Sequence, residues 1–167
     1  PLVADPGWRL AGAAIEAGLP VTAAPGASAV LAALSISGLP TDRFLFAGFP
    51  PTRTGERSRW LTQLAAVPAT LVFYEAPHRV APSLAAMREA LGNRRAALCR
   101  ELTKKFEEVR RGSIDELAAT VAGPGKLRGE VVIVVGPPEA EPASMSDLDT
   151  ALKTQLATAS VRDAARA

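Results

Sequence analysis

The sequence predicts an α/β protein: the end of an N-terminal wound α/β domain, followed by a C-terminal α/β domain with a mixed sheet. Three observations carry this. Short β-branched runs at residues 70–74 and 131–135 alternate with longer stretches of helical spacing, the rhythm of strands wound with helices. Residues 96–98 and 107–111 are separated by little more than a turn and read as paired strands, so the sheet is not all parallel. Val131–Val135 is apolar at every position, which marks a strand buried on both faces.

Each element follows from local chemistry. Residues 8–17 form a short helix that Gly18 ends, and residues 20–24 then read as a buried strand closed by Pro25-Gly26. Ser28 is placed to cap the next helix, whose apolar positions Val30, Leu31, Leu34 and Ile36 lead to Gly38-Leu39-Pro40. A wound layer starts from a strand and this one starts from a helix, so its first strand is expected upstream of Pro1. A new strand set begins at residues 44–49, followed by a loop at 50–55 and a helix at 56–64. Residues 70–74 give the clearest strand. Pro77 suits the first turn of a helix running to Leu91, where Gly92-Asn93 stops it. Ser113 and Glu116 have the spacing of a capping box. After Gly136 a Pro- and Glu-rich linker leads to a helix capped by Ser146 with Leu148, Leu152 and Leu156 on one face, and a further helix starts near Ser160. The domain division is therefore 1–40, 41–136 and a linker with helical tail at 137–167.

Composition narrows the classes. With 48% hydrophobic and 22% charged residues among 167, the chain has a folded core rather than a disordered composition. No apolar run approaches the roughly 20 residues a bilayer span needs, and no signal peptide is visible, so neither membrane nor secretion is expected. Cys99 is the single cysteine; it excludes an internal disulfide, reads as a small buried apolar residue, and suits a reducing cytoplasm. A net charge of +2 is too small to imply nucleic acid by itself. Its distribution is more telling: seven basic residues against three acidic ones lie between Arg94 and Arg111, a second cluster holds Arg53, Arg57 and Arg59, and Glu139, Glu141, Asp147 and Asp149 form an acidic stretch. A solvated charged face explains each cluster as readily as a binding surface does.

No metal-ligand spacing, P-loop or Ser/His/Asp set is present, and His78 is the only histidine, which excludes any mechanism needing two. Three turns at predicted strand ends stand out instead: residues 25–29, 74–79 and 100–105. Ligands of open α/β sheets sit outside the carboxyl ends of strands, where main-chain groups can reach them.

Several segments in order carry a family resemblance: Asp5-Pro6-Gly7, Pro25-Gly26-Ala27-Ser28-Ala29, Ser37-Gly38-Leu39-Pro40-Thr41-Asp42-Arg43-Phe44 and Phe46-Ala47-Gly48-Phe49-Pro50-Pro51. They continue with Tyr74-Glu75-Ala76-Pro77-His78-Arg79, Arg100-Glu101-Leu102-Thr103-Lys104-Lys105 and Arg128-Gly129-Glu130. Together they resemble the tetrapyrrole methylase superfamily, and within it the branch that methylates ribose 2′-hydroxyls of small-subunit (16S) ribosomal RNA. The resemblance covers residues 1–135. It implies two α/β domains with S-adenosylmethionine between them, a homodimer, the small ribosomal subunit as partner, and neither DNA nor metal. It places cofactor contacts at Ser28, Ala29, Glu75 and Leu102. The upstream Gly-rich and Asp-containing cofactor loops of the family have no counterpart in these residues.

Methyl transfer to a ribose hydroxyl is helped by a base or an orienting hydrogen bond, for which Glu75, His78 and Glu101 are the candidates near strand ends. Arg53, Arg57, Arg59, Arg79, Lys104 and Lys105 are the candidates for RNA phosphates, although Lys104 and Lys105 can instead pair with Glu107 and Glu108. Two alternatives remain open: a uroporphyrinogen or precorrin C-methyltransferase on the same scaffold, and a non-catalytic RNA-binding or dimerisation module. Against the first stands the basic segment 100–105, where porphyrinogen methylases tend to carry a Glu-Asn-Gly-Thr-like turn.

Overall fold

A computed structural model describes residues 3–122, 127–139 and 153–154. The elements are α1 (Trp8–Glu16), α2 (Ala29–Ser37), β1 (Phe44–Gly48), α3 (Thr54–Leu64), β2 (Thr70–Glu75), a 3-10 turn (Pro77–Arg79), α4 (Val80–Leu91), β3 (Arg95–Arg100), β4 (Glu108–Ser113), α5 (Ile114–Val121) and β5 (Val131–Val135). The expected helices at Ser146 and Ser160 lie outside the described residues.

The five strands form one mixed sheet in the order β1-β2-β5-β3-β4. β1 and β2 pair parallel across α3, while β5 pairs antiparallel with both β2 and β3, and β3 with β4. β5 is therefore central although it comes last in the chain, and all five of its residues are buried. Its unbroken run of Val and Ile meets apolar neighbours on both faces, as its composition requires.

On one face α3, α4 and α5 cover a core built from Leu61, Leu71, Phe73, Leu84, Met87, Leu98, Ile114, Leu117 and Ile133. On the other, α2 alone sets Val30, Ala33 and Leu34 against Val72, Ala97, Cys99, Val132 and Val134. That second face is lined by small side chains, and the helix packed on it has nine residues. Gly38 ends α2 in the left-handed conformation, φ +75°, which a residue without Cβ adopts freely. The capping box of α5 forms in full: Glu116 N donates to Ser113 Oγ at 3.2 Å and Ser113 N donates to Glu116 Oε2 at 2.6 Å. That reciprocal bonding holds the Glu116 carboxyl below its ordinary range.

Three expectations need correction. Residues 20–24 are not a strand: they are exposed and irregular, because a strand exists only through ladder partners and no described strand lies beside them. Ser28 does occupy the N-cap position with extended backbone, yet its hydroxyl makes no capping bond. The helix expected from residue 56 begins at Thr54, with Arg53 as its N-cap. α1 forms where expected but buries none of its residues, leaving Trp8, Leu10 and Ile15 exposed.

Candidate functional site

β1, β2 and β3 all point their carboxyl ends to one edge of the sheet, and β5 begins there. Between these ends lies a cavity of about 450 Å³. Its walls are Ala29 at the start of α2, Phe49 after β1, Tyr74-Glu75-Ala76-Pro77 at the end of β2, residues Gly129–Val132 leading into β5, and Val3-Ala4. Segments about 100 residues apart in the chain thus meet at the edge where open sheets bind ligands.

Glu75 is 2% exposed, and its carboxylate is fully engaged. It accepts from Ala76 N at 2.8 Å and from the Ser83 hydroxyl, and pairs with Arg79 Nε at 3.4 Å. Strand, turn and the start of α4 are tied together through this one side chain. Its role at the cavity falls to the main chain around it. Arg79 is equally committed: Nη2 donates to Pro50 O at 2.7 Å and Pro51 O at 3.0 Å. Arg79 thereby clamps the β1 exit to the β2 exit.

Glu101 forms the second clasp. It adopts φ +50°, and its Oε1 accepts from Glu130 N at 2.8 Å and Lys104 Nζ at 3.1 Å. Glu101 N returns a bond to Glu130 O at 3.0 Å, and Lys104 reaches Glu130 Oε2 at 3.0 Å. The Glu130 N–H and then Lys104 hold the Glu101 carboxyl below its ordinary range, while Glu130 and Glu101 raise the Lys104 ammonium. A carboxylate so stabilised in its charged form is a poor proton acceptor. Gly129, at φ +91°, lies so close that a Cβ there would stand 2.5 Å from the Glu101 side chain. The Arg-Glu-Leu-Thr-Lys and Arg-Gly-Glu segments are thus two halves of one structure that sets a cavity wall. Leu102 points elsewhere, packed with Tyr74 and Val109 against the α2-side core, and does not line the cavity.

Other candidates divide by exposure. His78 is exposed in the 3-10 turn and makes no hydrogen bond. Ser28 is half-buried beside Ala29 but outside the cavity lining. Arg57 is 5% exposed, one turn before Leu61 on the buried face of α3, with its Nε unpaired; burial removes it from any phosphate surface. Arg59 is exposed, and Arg53 is exposed beside Glu56 at 3.3 Å. Lys105 is exposed over the Phe106 ring. Neither lysine pairs with Glu107 or Glu108: Glu107 accepts from Thr103 N, and Glu108 is held by Arg110 and Arg100. Most of the basic run 94–111 is spent internally, since Arg94 donates to Leu91 O and Ala65 O, and Arg111 to Ile36 O. Cys99 is buried as expected, and burial pushes its thiol up to about 11. No group of three or more His, Cys, Asp and Glu side chains suited to a metal occurs among the described residues.

Phe49, Tyr74 and the Gly129-Glu130 pair were not singled out as site residues from sequence. The Arg100–Lys105 and Arg128–Glu130 segments are both visible in sequence, but nothing local says that residue 129 meets residue 101.

Residues 1–118 match the family Tetrapyrrole (Corrin/Porphyrin) Methylases. "Ribosomal RNA small subunit methyltransferase I" of Mesorhizobium japonicum is 54% identical over 153 residues, 91% of this chain and 52% of that protein. The protein of the same name from Mycobacterium tuberculosis is 51% identical over 148 residues, 87% of this chain and 51% of that one. This chain therefore spans about half the length of the curated relatives it matches. Uroporphyrin-III C-methyltransferase from Thermus thermophilus, solved with S-adenyl homocysteine, shares the fold at 23% identity and a TM-score of 0.51, over 78% of this chain and 58% of that one.

Proposed function

Because the chain belongs to the tetrapyrrole (corrin/porphyrin) methylase family, we propose that it forms part of an S-adenosylmethionine-dependent methyltransferase acting on the ribose 2′-hydroxyl of a cytidine in small-subunit (16S) ribosomal RNA. The observation that carries the reading is the cavity at the strand ends, where the Ala29 turn meets the main chain of Glu75-Ala76-Pro77 and Gly129-Glu130. Its volume falls within the range of about 300–1,000 Å³ usual for small-molecule sites. Relatives sharing half their residues with this chain are named for ribosomal RNA, which favours that acceptor over a tetrapyrrole.

When bound, S-adenosylmethionine would supply the methyl group for an in-line transfer to the ribose oxygen, with the hydroxyl proton released to solvent. The residues here hold the reactants rather than exchange protons. Ala29, with no side chain beyond Cβ, leaves room at the start of α2, and the β2 and β5 ends offer main-chain donors and acceptors. Glu75 and Glu101 position those walls. His78 is the one base candidate open to solvent, and alignment of hydroxyl and methyl is the larger lever. Of the six phosphate candidates, Arg53, Arg59 and Lys105 are exposed and outside the Glu75 and Glu101 clasps, and they contact phosphates in this reading. The assignment of residues 1–40, 41–136 and 137–167 to an N-terminal domain end, a C-terminal domain and a tail belongs to the same proposal, as do a homodimer and a cytoplasmic setting. No helix among the described residues is long and apolar enough to cross a membrane.

The test is Ala29→Leu in the full chain. Calorimetry should show S-adenosylmethionine affinity reduced at least about tenfold, since each 1.4 kcal/mol is a factor of ten, with the thermal midpoint unchanged. Unaltered affinity rejects the site. Methyl transfer to purified small subunits but not to uroporphyrinogen separates the two acceptor classes.

A further inference from the structure

Phe49 is 56% exposed and lines the cavity, whereas Trp8, Phe44 and Phe106, the other exposed rings among the described residues, do not. The backbone puts it there. The β1–β2 register shifts between Phe46 and Gly48, and Gly48 takes φ +76°, so the strand leaves its ladder and re-aims the next side chain. The ring is also braced: it meets Tyr74 edge-on at 5.5 Å, and Tyr74 meets Phe46 in the same way at 4.8 Å. Arg79, donating to the carbonyls of Pro50 and Pro51, holds the segment just beyond it. An exposed ring fixed at this cost presents a rigid apolar plane. The ring lines the cavity at the end of β1, just before the loop that leads into α3.

We propose that Phe49 is the stacking platform for the base of the acceptor nucleotide, holding it beside the cavity. The inference rests on the reading of the site as an RNA methyltransferase centre. A braced, exposed aromatic plane beside a small-molecule cavity has the chemistry of single-stranded nucleic-acid recognition, in which base–ring stacking supplies affinity with little dependence on hydrogen-bond geometry. Stacking fixes the plane of the base and, through the glycosidic bond, the position of the ribose, which is what an in-line transfer needs.

The experiment compares Phe49→Ala, Phe49→Leu and Phe49→Tyr in the full chain. It measures methyl transfer to purified small ribosomal subunits and, separately, S-adenosylhomocysteine affinity by calorimetry. Phe49→Ala is expected to lower kcat/KM for subunits roughly ten- to hundredfold, the range of one lost base stack. Phe49→Leu keeps apolar bulk without a plane and should fail similarly, whereas Phe49→Tyr should retain most activity. S-adenosylhomocysteine affinity should stay within about twofold throughout. Equal activity of all three variants overturns the proposal, as does a parallel loss of S-adenosylhomocysteine affinity, which would make the ring a platform for the cofactor's adenine. A wild-type protein that binds S-adenosylhomocysteine yet methylates no subunit overturns both this inference and the reading beneath it. An active wild type with an indifferent Phe49→Ala overturns this one alone.

Discussion

The two faces of the sheet are built to different ends. Three helices close one face over Phe73, Leu84, Met87 and Ile133, with large side chains fully buried. A single helix of nine residues covers part of the other, against the small side chains of Val72, Ala97, Cys99 and Val134, and the sheet edge beside it opens into the cavity. The difference teaches where the free energy of folding resides. Bulk and cooperativity sit under α3, α4 and α5, which frees the opposite side and its strand ends to carry left-handed residues, an exposed ring and main-chain groups turned toward a ligand.

The sharpest way to break this comparison is a cavity in the closed face. Leu84→Ala, at a site with no exposure, should destabilise the protein by about 2–5 kcal/mol in denaturant unfolding. Cofactor affinity measured well below the transition should be unchanged. If affinity falls in step with stability, the faces are not separate in function. The converse substitution is Gly129→Ala. Its new Cβ would meet Glu101 at 2.5 Å from a backbone of φ +91°, so a smaller stability loss of about 1–3 kcal/mol is expected. Here ligand affinity should drop disproportionately, because the cavity wall has to move; calorimetry on folded protein reads it.

The smallest effect concerns pH. The Glu101 carboxyl is held low by Glu130 N–H and Lys104, so its contribution is full above the unfolded glutamate value of about 4.3. It fades as pH falls through the lower folded value. Lys104 is raised by Glu130 and Glu101, so its contribution is full below the unfolded lysine value of about 10.4 and is lost as pH rises through the higher folded value. Hydrogen exchange at residues 128–130 should therefore stay slow between roughly pH 5 and 10 relative to the intrinsic rate, then lose protection in acid. Glu101→Gln should flatten that acid limb, and an unchanged limb would show that another group controls the wall.

What could be read from sequence follows the range of the interaction. The capping box at Ser113 and Glu116 and the stop at Gly38 depend on neighbours a few residues away, and the unbroken apolar run of Val131–Val135 marks burial on both faces whatever its partners are; all are legible in sequence. Residues 20–24 have the composition of a strand, but ladder partners decide strands and no described one is present. The site was legible as main-chain turns and illegible as side chains. Arg79 and Lys104 have acidic residues three or four positions before them, Glu75 and Glu101, but the partners that commit them, Pro50, Pro51 and Glu130, lie 26 or more residues away. Arg57 has the spacing of a surface cluster, yet α3 turns it inward with Leu61. Phe49 carries no polar signal, and only the register shift beside it reveals its exposure.

The position of β5 bears on how the protein is made. Synthesis proceeds from the N-terminus, so β1 to β4 leave the ribosome while the strand that belongs between β2 and β3 is still to come. Until Val131–Val135 is released, β1-β2 and β3-β4 are two half-sheets, each with an unpaired inner edge able to recruit other chains. A chain ending before residue 131 should be protease-sensitive, and one in which Val131–Val135 is present and clear of the ribosome should be resistant.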